Sequence, residues 1–155
     1  MAELTHVDDE GRARMVDVGA KEETHRVALA EAHVAMSAAA RSALFSGTLP
    51  KGDALAVTRI AAIQGAKQTP GLVPLCHPIG LDAISADVEA TDAGARVVVT
   101  VEVTAKTGVE MEAITGAAVG AIALYDMIKA VDRGAVIGPV QLLAKSGGKS
   151  GDWKR

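Results

Sequence analysis

Apolar positions along this chain recur with two different periods, and the changes between them divide it into elements. Over residues 22–45, Val27, Ala30, Val34, Met36, Ala40 and Leu44 fall near helical spacing among many alanines, and alanine is the strongest helix former. This predicts a helix over 22–45, begun by Thr24 or a neighbouring acid and ended by Gly47. Asp53 is a natural N-cap for a second helix reaching Lys67, with Leu55, Ile60 and Ile63 turned inward. Thr69-Pro70-Gly71 stops it. The period then shortens to two. Residues 81–91 and 95–105 alternate, the second run is crowded with β-branched residues, and a polar turn at 91–94 joins them, which predicts a hairpin.

A long helix is expected over about 111–131, with Ile114, Ala117, Ala118, Ala121, Leu124, Tyr125 and Ile128 on one broad face. Residues 136–144 read as a last strand, kinked or at an edge because of Gly138-Pro139. Helices and mostly antiparallel strands in this order predict an α+β sandwich with the helices on one side of a sheet. No repeat or long linker divides the 155 residues, so 1–155 is expected to be one domain, with 1–12 and 147–155 loose. The long helix also carries Gly116, Gly120 and intervening alanines. Such a small-residue face suits either a tight helix pair within the chain or self-association, which would add burial to a core poor in large side chains.

Composition narrows the functional classes. Only Phe45, Tyr125 and Trp153 are aromatic, too few for a platform on which nucleic-acid bases stack. Cys76 is the lone cysteine, which excludes an intrachain disulfide and a multi-cysteine zinc site. The polar opening segment lacks a signal core, and the longest uncharged run, from Ala113, is short and small-residued for a membrane span. A cytoplasmic protein without membrane or nucleic-acid partners is expected. Net charge is −3, yet from Lys129 onward six basic residues face only Asp132 and Asp152. This basic end suits either a small anion or a solvated tail.

Three segments carry candidate chemistry. Val73-Pro74-Leu75-Cys76-His77-Pro78 frames a thiol and an imidazole with prolines. Adjacent residues on an extended chain point apart, so a Cys–His nucleophilic pair is weak, and the four histidines show no metal-ligand spacing. Substrate binding by His77, helped by Leu75 and Cys76, is the better functional reading; ordinary packing is the alternative. Glu110, Met111 and Glu112 open the long helix, where carboxylates either complement the helix dipole or serve a site. Asp126 and Lys129 lie three apart near its end, as a surface pair or an acid–base couple. The segment 144–151 imitates a phosphate loop, but Leu143 stands where the pattern needs glycine and too little chain remains for the following helix. Its backbone and Lys145 and Lys149 could still wrap phosphates. Glu112 and Asp126 are fourteen residues apart, roughly 21 Å along a helix. A site using both is therefore expected to be built from two chains.

In sequence order, the blocks Leu4-Thr5-His6, Met15-Val16-Asp17-Val18, Lys51-Gly52-Asp53, Leu75-Cys76-His77-Pro78, Lys106-Thr107-Gly108-Val109-Glu110-Met111-Glu112-Ala113, Tyr125-Asp126-Met127, Lys129-Ala130-Val131, Ile137-Gly138-Pro139-Val140 and residues 143–151 resemble the MoaC proteins, the cyclic pyranopterin monophosphate synthase family of molybdenum cofactor biosynthesis. The resemblance implies a ferredoxin-like α+β subunit in a hexamer, a trimer of dimers with sites at dimer interfaces. It implies conversion of (8S)-3′,8-cyclo-7,8-dihydroguanosine 5′-triphosphate to cyclic pyranopterin monophosphate and pyrophosphate. Asp126 would be the active-site acid and Lys51 and Lys129 the essential lysines. Leu75, Cys76, His77, Met111 and Glu112 would contact substrate. Lys145, Lys149 and Lys67 suit the pyrophosphate charge, and Mg2+ is expected only as a companion of the triphosphate. Spacing leaves open which lysine gives and which takes a proton. The rival from another class is a non-catalytic nucleotide-binding scaffold that presents substrate to a partner enzyme.

Overall fold

The computed structural model describes residues 6–155; Leu4 and Thr5 of the first block lie outside them. The elements are β1 (Thr24–Ala35), α1 (Ala38–Ser46), α2 (Ala54–Lys67), α3 (Thr69–Leu72), β2 (Ala83–Thr91), β3 (Gly94–Ala105), α4 (Glu110–Ile128), β4 (Val136–Ser146) and β5 (Trp153–Lys154). The strands form one antiparallel sheet in the order β2-β3-β1-β4-β5. The first four strands with α2 and α4 make the ferredoxin-like α+β arrangement, with the helices covering one face.

The helix expected over 22–45 is corrected to a strand followed by a shorter helix. Ala28, Ala30, Ala32 and Val34 are buried at period two, opposite the equally buried Val101, Val99, Val97 and Ala95 of β3. Residues 24–35 pair along their whole length with β3 on one side, and from Val27 to Ala35 with β4 on the other. Two ladders and a helix packed above outweigh the propensity of alanine, which is a weak prior. Helix α1 then begins at Ser37, whose hydroxyl accepts from the Ala40 amide (3.3 Å), and ends at Gly47.

Helix α2 keeps its expected cap: Asp53 Oδ1 accepts from the Ala56 amide (3.0 Å). Leu55 packs half-buried against the core as expected, but the rest of the inward face differs. Ile60 is 67% exposed, while Ala54, Thr58, Ala62, Gly65 and Ala66 are buried. The reason lies in α4, which approaches so closely that only small residues fit the seam. A Cβ on Gly116 would stand 2.9 Å from the Ala62 carbonyl oxygen, and one on Gly120 would stand 2.8 Å from Val97 Cγ1. The small-residue face therefore serves a helix pair within the chain and packing on the sheet, and is not exposed for self-association. Thr69-Pro70-Gly71, expected only as a stop, opens the single turn of α3.

The hairpin of β2 and β3 and the long helix appear within a few residues of their expected ends. Helix α4 has the length and hydropathy of a membrane span, but half of it is buried against α2 and the sheet. The last strand extends to Ser146, with register irregularities against β1. Residues 153–154, within a segment expected to be loose, pair with Ala144 and Lys145.

Candidate active site

Most of the sequence-predicted residues gather at the two ends of α4. At the C-terminal end, Lys51 sits in the turn between α1 and α2, just ahead of the Asp53 cap, and Lys129 caps α4 with its amide on the Tyr125 carbonyl (2.9 Å). Between them lies Asp126. Its Oδ2 accepts from Lys51 Nζ at 2.7 Å and its Oδ1 faces Lys129 Nζ at 2.8 Å. A carboxylate at a helix C-terminus meets the negative end of the dipole, so two cations are what this one requires. The hydrogen bond from Lys129, then that from Lys51, hold the Asp126 carboxyl at about 2, below its ordinary value.

The surrounding turn is fixed as well. Asp132 accepts from the Ser37 amide (2.6 Å) and from the Gly134 amide (2.9 Å), while the Tyr125 hydroxyl donates to the Arg133 carbonyl (3.1 Å). Two ammonium groups presented on one carboxylate that is ionised at neutral pH can position a polar substrate and exchange protons with it.

At the N-terminal end, Cys76, His77, Thr107, Gly108, Met111 and Glu112 line a crevice of about 130 Å³. The Val16 carbonyl, which only accepts, lies 2.8 Å from His77 Nε2. That nitrogen therefore carries the proton, and a neutral ring presents Nδ1 as its acceptor. Burial, and then the nearby charge of Glu112, push the Cys76 thiol up. It stays in the thiol form, which makes it a poor nucleophile.

Glu112 is only 4% exposed. Burial raises its pKa, its own backbone amide partly opposes this, and the Glu110 charge adds to the rise. The helix dipole alone is therefore a poor account of this residue. Glu112 also walls a larger cavity of about 450 Å³, with Ile63, Lys67, Pro70 and Ile79 among its lining residues. Lys67 is thus beside Glu112 and distant in the chain from Lys145.

Lys145 contacts the Ser150 hydroxyl and has Glu110 at 3.7 Å. No helix follows the glycine-rich turn, consistent with the failed phosphate-loop pattern. Lys149 and Leu75 are exposed and line neither cavity. Sequence reasoning passed over Glu110 as a partner for Lys145; only the opposed charges of two segments signalled it. Among the described residues no cluster of three His, Cys, Asp or Glu could hold a metal ion.

One chain thus presents two groups of candidate residues at opposite ends of α4, a lysine–carboxylate centre and a crevice with Lys145 close to its Glu110 wall. Comparison with known proteins gives this division a context. The sequence model of the MoaC family matches residues 15–148. The chain is 54% identical over 153 residues to the cyclic pyranopterin monophosphate synthase of Corynebacterium efficiens, covering 99% of each. It is 50% identical over 154 residues to the protein of that name from Novosphingobium aromaticivorans, covering 99% of this chain and 98% of the relative. Against its namesake from Thermomicrobium roseum it is 50% identical over 157 residues, covering 100% and 95%. Matched almost from end to end by one family and half identical to proteins sharing one name, the chain belongs to the MoaC family.

Proposed function

We propose that this chain is a cyclic pyranopterin monophosphate synthase, a lyase of molybdenum cofactor biosynthesis. It takes (8S)-3′,8-cyclo-7,8-dihydroguanosine 5′-triphosphate, a GTP-derived nucleotide, to cyclic pyranopterin monophosphate and pyrophosphate. The observation that carries this reading is the centre in which Lys51 and Lys129 each stand within 2.8 Å of Asp126. Rebuilding the nucleotide's rings into a pterin needs protons moved at several atoms. Lys51 and Lys129 give and take them, and Asp126 stays ionised and holds both amines in place.

Cyclic phosphate formation joins a substrate hydroxyl oxygen to the α-phosphorus and breaks the bond to the β-phosphate oxygen. The hydroxyl proton is passed on and pyrophosphate leaves with the bonding pair. Lys145, Lys149 and Lys67 stabilise the growing charge on the leaving oxygens. Any Mg2+ enters with the triphosphate as part of the substrate. His77, Cys76, Met111 and Glu112 hold the ring end, with exposed Leu75 beside Cys76 on the same loop.

Because the two half-sites lie at opposite ends of one helix, each pocket is completed by a second chain. We place such dimers in a hexamer, a trimer of dimers, acting in the cytoplasm with neither nucleic acid nor membrane as partner. Exposed Val57, Ile60 and Ile122 on the helix layer supply apolar surface for association. The test is to incubate purified protein with the cyclised nucleotide and follow pyrophosphate and the pterin chromophore. Stoichiometric appearance of both is expected. Binding without either product would favour the scaffold reading.

A further inference from the structure

Arg26, on β1, touches two segments of the proposed site, the connection into α4 that leads to Met111 and Glu112 and the glycine turn that joins Lys145 to Lys149 at the triphosphate end. Its Nε donates to the Ala105 carbonyl (3.1 Å) and its Nη2 to the Lys106 carbonyl (3.3 Å), fixing the chain just ahead of the turn into α4. On its other side lie Gly147 and Gly148, both in the left-handed region with φ of +83° and +74°. A Cβ on Gly148 would collide with Arg26 Nη1 and stand 2.8 Å from Cζ, and one on Gly147 would collide with the His25 carbonyl oxygen. The glycine turn therefore packs directly on the guanidinium, closest to Nη1, with no room for a side chain between. Gly108, Glu110, Lys145 and Gly147 join Arg26 around the narrow crevice where the two segments meet.

We propose that Arg26 is the positioning residue of the triphosphate end, a planar cation that holds the glycine turn between Lys145 and Lys149 against the connection leading to Glu110 and Glu112. This rests on the synthase reading above. A guanidinium offers a rigid fork for two carbonyls and a further nitrogen against which a bare backbone packs; an ammonium offers neither. Positioning of this kind acts on transferred groups it never touches, because small displacements of binding groups are costly.

The test compares Arg26→Lys and Arg26→Met with the wild-type full chain in steady-state turnover and in calorimetric binding of inorganic pyrophosphate. Both variants are expected to raise KM and weaken pyrophosphate binding about 10- to 100-fold. The fall in kcat should be smaller and the melting temperature close to wild type. A wild-type KM in Arg26→Lys would mean that charge alone suffices and would overturn the proposal, as would a wild-type KM in Arg26→Met. Should the variants fail to fold, hydrogen exchange on the wild type with inorganic pyrophosphate decides. Residues 105–108 and 145–149 should gain protection together, and protection of 145–149 alone would overturn the coupling. A wild-type protein that releases no pyrophosphate from the cyclised nucleotide would instead sink the synthase reading.

Discussion

At the scale of residues, Asp126 and Glu112 are carboxylates moved in opposite directions by their surroundings. Asp126 is exposed and flanked by two ammonium groups, and its pKa falls to about 2. A depressed carboxyl stabilises the fold above its ordinary value near 4, and that contribution fades as pH falls toward 2. Urea titrations of Asp126→Asn should therefore show a shallower acid loss of stability than wild type between pH 4 and 2. At neutral pH exposed ion pairs add little stability, so Asp126→Asn should fold normally. Pyrophosphate release should drop by about 10² or more, because misplaced lysines no longer exchange protons effectively; near-wild-type release would refute the role. Glu112 has the opposite sign. Its raised pKa costs the fold stability as pH climbs past the ordinary carboxylate range, where only the unfolded chain ionises freely. Glu112→Gln should accordingly melt higher than wild type at pH 7 and lose that advantage below pH 4. An equal gain at both would mean packing, not ionisation, sets the difference. The residue types of both centres were legible in short motifs. The Asp126–Lys129 pair was legible too, from its spacing of three, but not the contact with Lys51, which reaches Asp126 across 75 positions of chain.

Elements show where local preference yields to packing. Residues 24–35 look helical by alanine content, yet the same alanines at period two fill the narrow space between sheet and α4. Periodicity misled because the opposite strand face also carries apolar side chains, Val27 and Leu29, so the alternation is blurred. It did identify α2, the β2–β3 hairpin and α4, where capping residues, a polar turn and β-branched runs agree with tertiary context. The α2–α4 seam makes its own prediction. Gly116→Ala should gain up to about 1 kcal/mol of helix propensity but incur overpacking of about 1–3 kcal/mol against Ala62 and Val99. A net fall in urea midpoint is expected, and an unchanged midpoint would show that α2 can move aside. With α4 locked in this way, its two ends are held at a fixed separation.

For the whole molecule that separation is the decisive constraint, and it can be read by mixing inactive chains. Asp126→Asn removes one half-site and His77→Ala weakens the other. If each pocket takes one half from each of two chains, co-refolded mixtures in equal amounts should recover roughly a quarter of wild-type turnover, because a mixed dimer retains one intact pocket. No recovery above the separate variants would mean that each chain completes its own site. The sequence alone determined the family, the order of α2, β2, β3, α4 and β4, the Asp53 cap, the Gly47 stop and the polar turn of the hairpin, and the chemical types at both ends of α4. All of these rest on neighbours in the chain, on spacing or on motifs. Only the tertiary structure decided that 24–35 is the central strand, that the small-residue face of α4 is spent on α2 and the sheet, and that Lys51 joins Asp126 and Lys129. Those outcomes depend on which distant surfaces meet, and pairing between remote segments outweighs the preference of any one of them.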